Sequence, residues 1–332
     1  MHRLGYPYAS AAMLTTFPAA SPAAHGGTTV QPFWIDLLEP SEAEIARVNA
    51  TWQLRVPSRA QLQEIESSSR LRSEADVLYL SMPLCLRPPT DDNTPVPIGF
   101  VLSSAIIVTV RFASLHSFDH VRARMERNGD IKGSAAVFAA LIEEMVDVGA
   151  DTLEMLAADL MAISREAFNR SAKRGRRSTR VNRLLRETLI TLGSNGETLS
   201  QIRESLTGLQ RIVDFTGETA RDWLPKDIQV RLKTVRKDLS SLTDFEAHLS
   251  SKVQFLLDAV LGFINTEQND MFKVLTIVSV VGVPPTLIAS MYGMNFHNMP
   301  ELGWRWGYAY GLTLIALSTL VPIVWFKRRG WW

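Results

Sequence analysis

The sequence predicts an α+β membrane protein with an N-terminal cytoplasmic α/β domain, a long helical stalk and two C-terminal transmembrane helices per subunit. Three observations predict it. Residues 275–292 and 307–326 are spans of 18 and 20 residues without a charge, about 27 and 30 Å long at 1.5 Å per residue, which matches a bilayer's hydrocarbon core. Ahead of them, from Ser134 to the first span, apolar residues recur at threes and fours, the period of packed helices. Residues 30–133 instead hold short β-branched runs bounded by Pro, Asp and Asn, the pattern of strands between turns.

A chain of 332 residues with 46% hydrophobic content suits a soluble body carrying a small membrane part. The net charge of +1 argues against a nucleic-acid partner, which needs a concentrated basic face. Cys85 is the single cysteine, so an intrachain disulfide and a zinc finger are both excluded. No phosphate-binding loop, dinucleotide fingerprint, His-Glu-x-x-His helix or nucleophile elbow occurs. The chain is therefore read as no enzyme and as having no organic cofactor.

Residues 1–29, rich in Ala, Pro, Ser and Thr, read as a disordered leader. Residues 33–38 read as a strand, and Ser41 with Glu44 has the spacing of a capping box that opens a helix. Residues 60–71 look helical. Residues 77–84, 98–102 and 106–112 read as further strands, the last two joined by a Ser103-Ser104 turn. Helices can cover such a sheet on both faces. His116 and His120 share a helix face, but no third ligand stands near them in sequence, so they read as packed or solvated histidines.

From 134 to 272 the chain reads as a helical hairpin and stalk. One helix covers 135–168 and a second 181–215, with the basic stretch of Arg165, Arg170, Lys173, Arg174, Arg176, Arg177, Arg180, Arg183 and Arg186 around the turn. That stretch reads first as the solvated turn between two helices, and otherwise as an attraction for anionic inner-leaflet lipid or for nucleotide. A third helix starts near Asp227, and its apolar seam runs Ile228, Leu232, Val235, Leu239, Leu242, Phe245, Leu249, Val253, Leu256, Val260 and Phe263. The same period continues through Asn269, Phe272, Leu275, Ser279, Val283, Thr286 and Ser290, mixing polar and apolar residues on one face. Lipid rewards no polar face, so this stripe points to a homo-oligomeric pore lined by the first transmembrane helix, 273–293, with membrane lipid around the second, 307–326. Pro284 and Pro285 remove two backbone donors and predict a bend near Val280 and Val281.

The charges orient the pair. Lys273 precedes the first span, and Lys327, Arg328 and Arg329 open the basic tail 327–332, so both termini are cytoplasmic by the positive-inside rule and the loop 294–306 faces outward. Trp304, Trp306, Tyr308 and Tyr310 stand at the outer interface, and Trp325, Trp331 and Trp332 at the inner one.

Between the spans the chain reads Tyr292-Gly293-Met294-Asn295-Phe296-His297-Asn298-Met299-Pro300-Glu301-Leu302. This stretch, with its flanking spans and basic end, resembles the CorA family of divalent-cation channels, densely from residue 263 onward and by architecture before it. The resemblance implies a homopentamer in a bacterial inner membrane, with Mg²⁺ as transported and regulatory ion and Co²⁺ and Ni²⁺ as further cargo. It assigns selectivity to Gly293, Met294 and Asn295, and constriction to the stripe, where Asn269, Leu275 and Thr286 match the family's residue types. Phe272 and Val283 stand where relatives often carry Met, and His297 where many carry Glu, leaving Glu301 the loop's only carboxylate. Amides and carbonyls suit Mg²⁺, which sheds its waters reluctantly and is best held through them.

The resemblance also implies closure by cytoplasmic Mg²⁺ bridging carboxylates between subunits, for which Asp91, Asp92, Asp227, Asp238 and Asp244 are candidates. Two alternatives remain open at this point. One is a Zn²⁺ or other transition-metal transporter on the same fold, disfavoured by Met294 and favoured by His297. The other is a membrane-anchored regulator without flux, which would need neither the stripe nor the loop.

Overall fold

The computed structural model describes residues 13–17, 31–64, 66–85, 95–129, 131–172, 178–294 and 299–331. Two compact units divide them: residues 1–166 with 190–256, and residues 167–189 with 257–332.

The first unit is built on a six-stranded mixed sheet. Its strands are β1 (Met13–Phe17), β2 (Trp34–Leu38), β3 (Leu71–Glu74), β4 (Val77–Leu84), β5 (Val96–Leu102) and β6 (Ile107–Arg111). They are ordered β1-β2-β6-β5-β4-β3, with β2 and β6 parallel and every other pair antiparallel. On one face Ile35, Leu37, Tyr79, Val101, Val108 and Val110 pack with Val48 of α1 (Glu42–Trp52) and Leu62 of α2 (Arg59–Leu62). On the other, Phe100 meets Phe138 edge-on at 5.8 Å and Trp34 lies 6.3 Å from Phe118, bringing in α4 (His116–Asn128) and α5 (Ser134–Ala172). The sheet is thus covered on both faces, as its β-branched strands require. The capping box forms as read: Glu44 N–H donates to Ser41 Oγ while Ser41 N–H donates to the Glu44 carboxylate.

Two sequence expectations need correction here. The leader is not wholly without structure, because Met13–Phe17 forms β1 against β2, and Phe17 packs on Trp34 at 5.0 Å. Residues 60–71 are not one helix: α2 and α3 (Ser67–Arg70) are single turns, and Leu71 already pairs with Leu80 in β3. Ser67, Ser68 and Ser69 in succession disfavour a helix interior, because serine side chains compete for the backbone. The β3–β4 turn is a two-residue loop in which Ala75 and Asp76 both have positive φ (48° and 63°), the geometry of a tight hairpin without its usual Asn-Gly signature.

The helical part follows the reading closely. After α5 come α6 (Ser178–Thr219) and α7 (Lys226–Tyr292), the latter a 67-residue helix continuous through Pro284 and Pro285. The seam of α7 is buried at Ile228, Leu232, Val235, Leu239, Leu249, Val253, Leu256 and Val260. In its middle the register differs from the apolar pattern: Phe245 is exposed, and Glu246 is buried in its place. Glu246 accepts from Ser250 Oγ at 2.6 Å and faces Arg203 Nε of α6 at 3.6 Å. A short 3₁₀ turn (Pro300–Gly303) leads into α8 (Gly307–Arg328).

Candidate functional site in the apolar helices

In the second unit, α7 and α8 are the two helices of the described residues long and apolar enough to cross a membrane. None of the apolar window of α7 and 11% of that of α8 is buried. On α7 the half-covered positions are Ile277, Val281, Pro284, Pro285, Ile288 and Tyr292; on α8 they include Gly311, Ile315, Ser318, Thr319 and Pro322, ending at the buried Phe326. Both lines have helical spacing, and a Cβ at Gly311 would stand 3.9 Å from the Tyr292 ring. These are the two faces of one hairpin.

The stripe lies elsewhere on α7. Asn269, Phe272, Leu275, Ser279, Val283, Thr286 and Ser290 are all exposed. Its outer half forms a groove lined by Val278, Ser279, Gly282, Val283, Thr286, Leu287 and Ser290. Thr286 Oγ donates to the Gly282 carbonyl at 2.7 Å, which satisfies the hydroxyl proton within the helix. Pro284 and Pro285 leave the Val280 and Val281 carbonyls without their usual donors one turn earlier, yet the helix continues to Tyr292.

The C-terminal end of α7 opens onto the loop. Gly293 N–H donates to the Ala289 carbonyl at 3.0 Å and Met294 N–H to Met291 at 3.3 Å. A Cβ at Gly293 would approach the Ala289 carbonyl oxygen to 3.2 Å, so a larger residue would disturb this ending. The remaining carbonyls and the negative end of the helix dipole favour a cation just beyond Tyr292. Met294 is exposed. Asn295 and His297 lie outside the described residues, and Glu301 falls in the 3₁₀ turn.

The flanking groups are placed as follows. Lys273 pairs with Asp270 at 2.8 Å on the exposed helix surface. Lys327 and Arg328 end α8, where cations complement the dipole, and the Arg329 guanidinium lies 5.1 Å over the Trp325 ring. Trp304, Trp306, Tyr308 and Tyr310 are exposed, and Phe326 is enclosed by Trp325 and Trp331 at 5.1 and 5.3 Å. Both helix ends thus carry aromatic rings suited to an interface.

In the first unit, Asp91 and Asp92 lie outside the described residues, and Asp227, Asp238 and Asp244 are exposed on α7. Sequence reading missed their neighbour Asp147 on α5. Partial burial pushes its carboxyl up from the ordinary range, and Glu144, Glu143, Asp151 and Asp238 push it further. Glu143 is held by Arg231 through Nε and Nη2 at 2.8 and 2.6 Å, and Glu144 by His120 Nδ1 at 2.7 Å. His116 stacks parallel on His120 with ring centroids 6.3 Å apart. Among the described residues no group of three His, Cys, Asp or Glu is set to hold a metal ion.

The fold and these helices define a class: a membrane protein with a large N-terminal α/β domain, a long helix and two C-terminal apolar spans. The chain belongs to the family described as CorA-like Mg2+ transporter protein, whose profile matches residues 31–328. It is 32% identical over 299 residues to the magnesium transport protein CorA of Yersinia pseudotuberculosis, covering 90% of this chain and 91% of that one. It is also 32% identical over 303 residues to the protein of that name from Escherichia coli K12, covering 91% and 92%. The complete structure of the CorA magnesium transporter from Methanocaldococcus jannaschii superposes with a TM-score of 0.72 at 16% identity, over 94% of this chain and 95% of that chain.

Proposed function

We propose that the chain is one subunit of a homo-oligomeric channel, a pentamer by family resemblance, that admits Mg²⁺ passively, takes Co²⁺ and Ni²⁺ as further cargo, and closes when cytoplasmic Mg²⁺ rises. The observation that carries the reading is the exposed stripe on α7, a charge-free face with Ser279, Thr286 and Ser290 among apolar residues, ending in Gly293-Met294. A helix with that face in lipid needs protein or water against it, and copies of itself supply both. The curated relatives carry the name magnesium transport protein, which favours Mg²⁺ as the ion.

The mechanism follows from the chemistry of the ion. Hydrated Mg²⁺ meets a ring of Asn295 carboxamides and the carbonyl ends of α7, which accept hydrogen bonds from its waters without stripping them. Phe272 and Leu275 form the apolar constriction, closed by dewetting. With the α/β domain and both termini in the cytoplasm of a bacterial inner membrane, a potential of 100 mV supplies about 4.6 kcal/mol for a divalent ion, twice the single-charge value, so no nucleotide motor is required. Closure rests on carboxylates facing each other between subunits, drawn from Asp91, Asp92, Asp227, Asp238 and Asp244, which repel unless a cation intervenes.

The test is ion flux into vesicles holding the purified chain, with Mg²⁺, Zn²⁺ and Co²⁺ in competition. Mg²⁺ entry that follows the imposed potential and collapses in an assembled Asn295→Ala variant is the expected result. Wild-type vesicles without flux would refute the channel, and selective flux in Asn295→Ala would refute the selectivity ring. Preference for Zn²⁺ would move the chain to transition-metal transport.

A further inference from the structure

The hairpin end of α6 and α7 in the first unit holds a groove of about 450 Å³ that serves no step of ion passage. We propose that it binds an anionic polyphosphate, a nucleotide or an inorganic chain of phosphates. Arg221, Lys233 and Arg236 line it against Asp214 and Glu218, three cations to two carboxylates. One carboxylate is already used: Asp214 accepts from Arg236 Nε at 2.8 Å and from Gln210 Nε2 at 3.1 Å. That bond fixes the Arg236 guanidinium while leaving its other N–H groups to donate. Among the described residues neither Arg221 nor Lys233 stands within ion-pair distance of a carboxylate. An anion with several oxygens would answer all three cations at once, and guanidinium forks match phosphate geometry in particular.

Two further features shape the groove. Gln229 Nε2 donates to the carbonyls of Arg221 and Leu224 at 3.0 and 2.9 Å, which anchors the turn that carries Arg221. Gly217 lies within α6, a position where glycine is unfavourable relative to alanine. No packing contact calls for it, since a Cβ there would meet nothing within 4 Å. Its effect is to leave bare backbone in the groove lining, where a ligand can approach closely. The volume falls in the range of small-molecule sites and exceeds what one phosphate fills, while Val213 and Leu232 add an apolar wall.

The experiment is calorimetric titration of the full-length detergent-solubilised protein with ATP, AMP and inorganic tripolyphosphate. ATP or tripolyphosphate should bind saturably, one per chain. Arg221→Glu and Lys233→Glu should each weaken binding at least ~10-fold, the size of one lost charge-assisted hydrogen bond. Gly217→Leu should abolish binding with thermal stability kept, because its side chain enters open space on a helix it suits better than glycine does. Arg47→Glu, on α1, should change nothing. Tighter ATP than tripolyphosphate identifies a nucleotide site, and equal affinities with silent AMP identify a site for the phosphate chain itself. Absence of saturable heat up to ~10 mM of either ligand, or affinity unchanged in both charge reversals, overturns the proposal.

Discussion

Replacing Asp36 with Asn tests the element that ties the two central parallel strands together. Asp36 and Arg111 are 1% and 2% exposed on β2 and β6. Arg111 donates to the carboxylate through Nε at 3.2 Å and Nη2 at 2.8 Å, with Nη1 on the Ala113 carbonyl at 3.2 Å. Thr109 Oγ donates to Asp36 at 2.8 Å and accepts from Trp34 Nε1 at 3.0 Å, and the Phe118 ring lies 4.8 Å from the guanidinium. Asn keeps the volume and removes the charge, leaving a buried cation uncompensated, which costs about 3–5 kcal/mol. At about 1.4 kcal/mol per factor of ten, amide exchange in 34–38 and 107–111 should accelerate by roughly two to four powers of ten. The double variant Asp36→Leu, Arg111→Met removes both charges, and Thr109 retains the Ile35 carbonyl at 3.4 Å as an acceptor. It should recover most of that loss, since a buried pair replaced by apolar residues is often neutral. Hydrogen exchange read by mass spectrometry on the full chain decides. A single variant within about 1 kcal/mol of the parent, or a double variant as labile as the single, would refute the view that the uncompensated charge sets the cost.

Phe272→Ser or Leu275→Ser should raise basal flux in reconstituted vesicles, because a wet side chain removes the dewetting barrier; unchanged leakage in both would move the constriction, with Val283 next in line. Asp147 has a raised carboxyl value, so its ionised form is penalised in the fold: stability is lost as pH rises through the folded value and regained below the unfolded one. Asp147→Asn should therefore be more stable than the parent at pH 7 and converge with it near pH 3–4, about the ordinary carboxylate value, in melts across that range. Millimolar Mg²⁺ should protect the first half of α7 from protease, and neutralising Asp91, Asp92 and Asp238 together should remove the protection; cleavage of the parent that ignores Mg²⁺ would sink the feedback.

The parts legible in the sequence were those whose signal is periodic and long. The spans need only length and absence of charge, and the α7 seam survives one local exception because eight other apolar positions hold its register. What stayed hidden was set by partners distant in sequence. Strand β1 has no independent pattern and exists because β2 offers it an edge, so Phe17 finds Trp34. The β3–β4 hairpin turns through Ala75 and Asp76, residues that seldom adopt positive φ and carry no turn signature.

Glu246 shows the limit most directly. By hydropathy Phe245 owns the seam position, yet burial falls on the carboxylate, because the register is decided by which residue meets α6, and there Arg203 waits at 3.6 Å. One Glu246 oxygen, Oε2, still lacks a hydrogen bond among the described residues, and an unsatisfied buried acceptor costs about 1–3 kcal/mol. Apolar pattern alone would place such a cost nowhere in this helix. The same reasoning explains why the polar stripe of α7 could be read from residue types while the acidic cluster around Asp147 could not: a stripe is a property of one helix, whereas Asp147 and Asp238 acquire their mutual repulsion only when α5 and α7 are packed side by side.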